Sequence, residues 1–314
     1  MSVNQTKRKV ILDCDPGHDD AIAILLAAKA PNVELVAITT VAGNAEVEKT
    51  TVNALKVCEI AGLSDVPVAR GAGQPILRER RTAPDIHGDS GMDGPLLPQP
   101  TKSPVEEHAV DLIIRHLLAS DGDITLVPVG PLTNIALAMR REPAIIPKIQ
   151  EIVLMGGAMF GNTTPAAEFN IFVDAEAAKI VFESGVPLVM VGLDLTHQAM
   201  ATPEIVERIA AIDNNVSTFV VELLNFFSDT YFHVFGFGGA PIHDACAIAY
   251  VNDPSVFTTI KRRVDIETKG EFTYGMTVVD LYGVTGREPN VEVADKLDQE
   301  KFWTMLCDAL KQYS

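Results

Sequence analysis

Four carboxylates fall within eight residues in the stretch Asp13-Cys14-Asp15-Pro16-Gly17-His18-Asp19-Asp20. Like charges this close repel and raise one another's pKa unless a cation is present, and clustered carboxylate oxygens are what Mg²⁺ and Ca²⁺ prefer. Helix capping competes as an explanation, because Asp19 and Asp20 fall in a first helical turn where the backbone dipole favours negative charge. Capping needs only one or two acids, however, and leaves Asp15 unneutralised beside them. The cluster is therefore read as a site for a hard divalent cation.

Two later stretches carry complementary chemistry. His243-Asp244 sets an acid-base group beside a further carboxylate, after the glycine-rich approach 236–239 and before an apolar helix over 245–251. A backbone hydrogen bond for His243 and a helix cap at Asp244 are the structural alternatives. The loop 161–170 supplies Asn162, Glu168 and Asn170, amides and a carboxylate that suit vicinal hydroxyls such as those of a sugar. Side-chain turns of a plain surface loop use the same residue types. His108 and His116 read as surface residues, and His18 as a shaper of the turn it sits in.

The elements that must position these groups alternate in a βαβ rhythm. Residues 10–12 read as a buried strand and 21–28 as a buried helix, with Pro16-Gly17 turning between them. Strands follow over 33–41, 66–69, 124–130, 152–155 and 187–191, and helices over 47–61, 105–119, 131–141 and 174–184. Beyond Thr202 the pattern predicts helices over 203–211 and 216–227, then alternating strands over 264–268 and 276–280 that add antiparallel to one edge, and a closing helix over 300–310. Residues 71–104 show little periodicity, and a loop this long in a compact domain is usually functional or disordered. The fold class is α/β: a single-domain, open, mostly parallel twisted sheet with helices on both faces and a mixed edge. In such a sheet the strand ends at Asp15, Asn44, Val129-Gly130, Met155-Gly156-Gly157 and Asp194 share one edge, where ligands bind. Asn44 also has an ordinary reading as a turn residue.

A chain of 314 residues with 47% hydrophobic content can bury a large core, and one domain is favoured over two. Its 42 acids against 25 Lys and Arg leave a net charge of −17, which argues against a nucleic-acid partner and for a small neutral substrate. No apolar run approaches the roughly 20 residues a membrane span needs. The polar, basic start over 1–9 shows no export signal, and the scattered Cys14, Cys58, Cys246 and Cys307 suggest a reduced, cytoplasmic protein.

The ordered set comprising the 13–20 cluster, Val41-Ala42-Gly43-Asn44, Ile86-His87-Gly88-Asp89-Ser90-Gly91, Leu154-Met155-Gly156-Gly157, Ala167-Glu168-Phe169-Asn170 and His243-Asp244 resembles the nucleoside hydrolase family, across nearly the whole chain. The resemblance implies the Rossmann-like nucleoside hydrolase fold and a calcium ion held by Asp15, Asp20, Asp244 and the backbone carbonyl of Val129. It assigns the ribose hydroxyls to Asp19, Asn44, Asn162, Glu168 and Asn170, with Met155 also in the substrate site. His87 and Phe169 are expected near the base, with Tyr231 and His233 on a segment that closes over the pocket in relatives.

The reaction implied is hydrolysis of the N-glycosidic bond of a ribonucleoside, through an oxocarbenium-like sugar. Asp15 would take a proton from the attacking water, and His243 would protonate the departing base. Asp13 would support the turn. Pyrimidine nucleosides are the expected substrates, with a nonspecific inosine-uridine hydrolase as the alternative and a homodimer or homotetramer as the expected assembly. A non-catalytic, calcium-dependent nucleoside-binding protein is the rival of another class. Phosphatases of the haloacid dehalogenase type also place Asp-x-Asp after a strand, but here Pro16-Gly17 follows and no lysine sits at a strand end.

Overall fold

The structure is a computed structural model that describes residues 7–313; most of the polar start read over 1–9 lies outside them. Its strands are β1 (Arg8–Cys14), β2 (Val33–Thr40), β3 (Val68–Arg70), β4 (Ile124–Pro128), β5 (Ile149–Met155), β6 (Leu188–Val191), β7 (Met200–Ala201), β8 (Ala240–Pro241), β9 (Phe257–Ile266), β10 (Thr277–Asp280) and β11 (Val291–Leu297). Nine of them form one sheet in the order β10-β9-β11-β6-β5-β4-β1-β2-β3, and β7 pairs with β8 alone. Pairing is parallel from β11 through to β3. It is antiparallel between β11, β9 and β10 at the far edge.

Helices cover both faces, and each face has its own apolar core. Helix His18–Lys29 carries the unbroken buried run from Ala21 to Ala27 because it packs against the sheet, helix Asp244–Asn252 and helix Gln299–Leu310 together. Leu25, at its centre, is fully buried, and truncating such a side chain to Ala costs about 2–5 kcal/mol. The opposite face is filled by helices Ala109–Ala119, Thr133–Arg141 and Ala175–Phe182.

From β1 the chain moves outward through β2 to β3, then returns to β4 on β1's other side and continues to β5 and β6. This reversal of strand order opens a crevice at the carboxyl ends of β1 and β4, where open α/β sheets bind ligands.

Several elements differ from expectation; the edge strand expected over 264–268, for one, runs Phe257–Ile266 because it pairs along its length with β11 as well as β10. The helix expected over 216–227 spans Asn215–Phe235, two turns further, and stops at Gly236 in the left-handed conformation. The helix expected from 105 begins at Ala109, because Val105 bridges to Ala69 and His108 caps the helix. The third strand is Val68–Arg70 instead of 66–69. Strand β11 was not anticipated; it lies between the antiparallel edge and β6 and joins the two parts of the sheet.

Candidate active site

The crevice holds a cavity of about 270 Å³ whose floor is acidic and whose far wall is aromatic. Asp15 follows β1, and its carboxylate wedges between two loops that leave room only because Gly43 and Gly130 have no side chain; a Cβ on either would collide with it. The backbone N–H of Asn44 donates to Asp15 Oδ2 (2.7 Å), while Asn44 Nδ2 donates to the Asp15 carbonyl and to Asp20 Oδ2 (both 3.2 Å). Asp20 is oriented by donation from the N–H groups of Asp15 (3.0 Å) and Gly17 (2.9 Å). Helix Asp244–Asn252 brings Asp244 to the same point, so that Asp19, Asp20 and Asp244 place carboxylate oxygens within 4.8 Å of one another.

All four acids are at least nine-tenths buried, and none has an ion-pair partner among the described residues. Burial, reinforced by the charge of Asp20, pushes Asp15 well above the usual carboxylate range. Burial and Asp20 likewise raise Asp19 to about 8, and burial with Asp19, Asp20 and Asp15 drives Asp244 well upward. Such a cluster is stable as ionised carboxylates only with a cation among them, so the residues present fit a hard divalent ion. The expected ligand set and the closest acid triad differ in one member, with Asp19 in the triad where Asp15 was expected. Asp15 stands to one side because Asn44 and the glycine walls fix it, but its Oδ1 abuts Gly130, next to Val129. Asp19 lines the open cavity, whereas Asp15 and Asp20 do not. The Val129 carbonyl accepts from Asn170 Nδ2 (2.8 Å).

The remaining groups expected at the ribose, Asn44, Asn162, Glu168 and Asn170, line the same cavity, as do Met155 and the expected base neighbours His87 and Phe169. Glu168 caps helix Phe169–Val173, accepting from the N–H groups of Asn170 (2.9 Å), Gly157 (2.9 Å) and Ile171 (3.2 Å), yet burial still raises it to about 7. Asn162 Oδ1 accepts from the Phe169 N–H (3.0 Å), which leaves its Nδ2 for a ligand.

At the opposite wall, helix Asn215–Phe235 turns Phe227, Tyr231 and Phe235 toward the cavity at intervals of four residues, one face of the helix. His243 has both ring nitrogens engaged: Nδ1 with Thr196 Oγ1 (2.7 Å) and Nε2 with the Tyr231 hydroxyl (2.8 Å). Burial, and then His197, lowers it to about 3. The expected direct proton donor lines the cavity with its Nε2 bonded to the Tyr231 hydroxyl, and burial favours its neutral form.

Two expectations are corrected. His233, expected near the base, points outward with an exposed side chain and bonds to the Asp229 carbonyl (2.8 Å), because it sits on the helix face opposite the cavity. Asp13 does not serve the turn. It is fully buried within β1 and accepts from Thr39 Oγ1 (2.6 Å) and Asn134 Nδ2 (2.8 Å), tying β2 and helix Thr133–Arg141 to the strand beneath the site. Sequence reasoning missed Arg81, Ile86, Phe227 and Phe235 in the lining, and Thr196 behind it. The aromatic pair had a signal: the four-residue spacing from Phe227 through Tyr231 to Phe235, ahead of the helix-ending Gly236.

Residues 10–304 match the family model described as inosine-uridine preferring nucleoside hydrolase, and the chain belongs to that family. It is an N-glycosyl hydrolase of ribonucleosides. The chain is 50% identical to the pyrimidine-specific ribonucleoside hydrolase RihB of Escherichia coli O157:H7 over 308 residues, 98% of each chain. It is equally similar to the pyrimidine-specific ribonucleoside hydrolase RihA of Escherichia coli O81 (strain ED1a), 50% over 97% of this chain and 99% of that one. Among solved structures, the purine-preferring ribonucleoside hydrolase from Gardnerella vaginalis superposes with a TM-score of 0.90 at 32% identity, covering 97% of this chain and 100% of the other. Among the described residues no helix is long and apolar enough to cross a membrane.

Proposed function

We propose that the chain hydrolyses pyrimidine ribonucleosides, uridine and cytidine above inosine, to free base and ribose, with calcium as its ion. The observation that carries the reading is the buried, uncompensated acid cluster at the floor of a cavity whose other wall is aromatic. Half-identity to two pyrimidine-specific relatives, against a third to a purine-preferring one, supports the base preference.

Asp20 and Asp244 would hold the ion, completed by Asp15 and the Val129 carbonyl. When bound, it would supply positive charge that acidifies a water and anchors hydroxyl oxygens. Asp15 accepts the proton of the attacking water at its carboxylate. Asp19, facing the cavity, holds a ribose hydroxyl together with Asn44, Asn162, Glu168 and Asn170, and these contacts strengthen as positive charge grows on the sugar. Phe169 and the aromatic wall exclude water around the base. His243, held between Tyr231 and Thr196, orients the Tyr231 hydroxyl toward the departing base; the hydroxyl gives its proton to the base as the glycosidic bond breaks, and the phenolate takes a proton back from solvent water when the products leave.

Initial rates of ribose release from uridine, cytidine, inosine and adenosine test the reading. The expected result is a larger kcat/KM for both pyrimidine nucleosides. A larger value for inosine would overturn the base preference, and binding of uridine without ribose release would overturn catalysis.

A further inference from the structure

His18 is more than a turn residue. It is fully buried and lies parallel to Phe226 and Phe227, with ring centroids 5.2 and 5.0 Å away. Its Nε2 lies 2.7 Å from the Asp93 carbonyl oxygen, and its Nδ1 lies 3.1 Å from Nδ1 of His87. These two contacts fix a proton inventory. A carbonyl oxygen only accepts, so His18 Nε2 must carry a hydrogen and donate it. No carboxylate bonds to the His18 ring, and a charge on so fully buried an imidazole without an ion-pair partner is costly. His18 is therefore neutral, and its Nδ1 is a bare acceptor. One proton must lie between the two Nδ1 atoms, so it belongs to His87, which donates to His18.

His87 is itself buried away from any acid that would charge it. Its Nδ1 and Cε1 edge abuts Gly17, where a Cβ would strike it, and so faces away from the cavity that the ring lines. Its Nε2 has no protein partner among the described residues and is not enclosed. The segment 86–94, distinctive in sequence, builds this arrangement: the Asp93 N–H donates to the His87 carbonyl (3.1 Å), which folds the loop so that the Asp93 carbonyl meets His18.

We propose that His18 is a positioning residue that locks His87 in its Nδ1–H tautomer, so that His87 Nε2 faces the cavity as a bare hydrogen-bond acceptor for an N–H of the nucleobase. His87 is then a reader of the base and not its proton donor. The inference rests on the ribonucleoside reading above and deepens it. It adds that the base must present an N–H at this wall, as uracil does at N3 and cytosine at its amino group.

Two readouts test it. Nitrogen-15 NMR of the whole protein labelled at histidine, with the His87 signals assigned by their loss in His87→Gln, reports the tautomer directly. The expected spectrum has a protonated Nδ1 and a bare Nε2 at His87; a protonated Nε2, or an averaged pair, overturns the proposal without any variant at His18. In His18→Phe, with His18→Leu as the second variant should the first not fold, the His87 signals should shift toward a mixture of tautomers. The ratio of kcat/KM for uridine to that for 4-nitrophenyl riboside, whose leaving group offers no N–H, should fall about tenfold, the loss of one hydrogen bond. A merely structural role would lower both substrates alike, and an unchanged ratio in a folded variant overturns the proposal. Inactivity of the unmodified enzyme on every ribonucleoside would instead sink the proposed function, while its spectrum would still decide the tautomer.

Discussion

Removing the ion should make stability strongly dependent on pH, with a sign that the buried acids dictate. Asp19 has a folded-state pKa of about 8 against an ordinary value of 3.8, chiefly from burial and then from Asp20. A carboxyl raised on folding binds its proton more tightly in the folded chain, so stability is greatest below the unfolded pKa. It is lost progressively as pH rises from near 4 through 8. The shift of about four units sets a ceiling of about 6 kcal/mol for Asp19 alone. Relaxation and water entry reduce it, but even a third of that moves the melting temperature by about 3 °C for a chain of 314 residues. Asp13 and Glu168, both raised to about 7 by burial, slope the same way with or without the ion. The informative quantity is therefore the difference between metal-loaded and stripped protein. Thermal melts at half-unit steps from pH 5 to 9, in calcium and in chelator, should converge at the acid end and diverge steadily above pH 6. Parallel curves across the whole range would refute the claim that the cluster is held ionised by a cation.

Further outcomes separate the roles assigned to individual side chains. Asp15→Asn, Asp20→Asn and Asp244→Asn should each weaken calcium binding by titration calorimetry, whereas Asp19→Asn should retain affinity and lose kcat/KM; the reverse pattern would exchange Asp15 and Asp19. Tyr231→Phe should lower kcat on uridine about 10²-fold, the usual worth of a general acid, and an unaltered kcat would return that role to another group. His233→Ala should leave uridine kcat/KM within about twofold, as for surface substitutions away from special features, and a large loss would place His233 back at the base.

The parallel core was legible because its strands are short apolar runs closed by Asp, Asn or Gly, and its helices carry 3.6-residue periodicity. The site was legible for the same reason, since one sheet edge gathers Asp15, Asn44, Val129 and Met155 from four strand ends. Tertiary partners decided the rest. Val105 looks helical in isolation, but a bridge to Ala69 holds it extended. Strand β11 escaped because Val291-Glu292-Val293-Ala294 follows a polar turn and finds its neighbours only when β6 and β9 flank it. Asp13 has the residue type of a site group, yet the inward face of β1 commits it to Thr39 and Asn134. The helix expected to end at Phe227 runs on through the polar Ser228-Asp229, because Asp229 faces solvent while the Ser228 hydroxyl accepts from the Ala240 N–H (3.2 Å). Which nitrogen of His87 carries a proton depends on a contact between residues 69 positions apart, and no spacing rule reaches that.

The central claim is that the acid cluster carries the ion on which N-glycosidic hydrolysis depends. Its most direct test is to strip the enzyme with chelator, titrate calcium back, and follow bound metal and ribose release from uridine in the same samples. One calcium per chain, with activity rising in proportion to its occupancy, is the predicted result. Full ribose release from enzyme shown to contain no metal would contradict it.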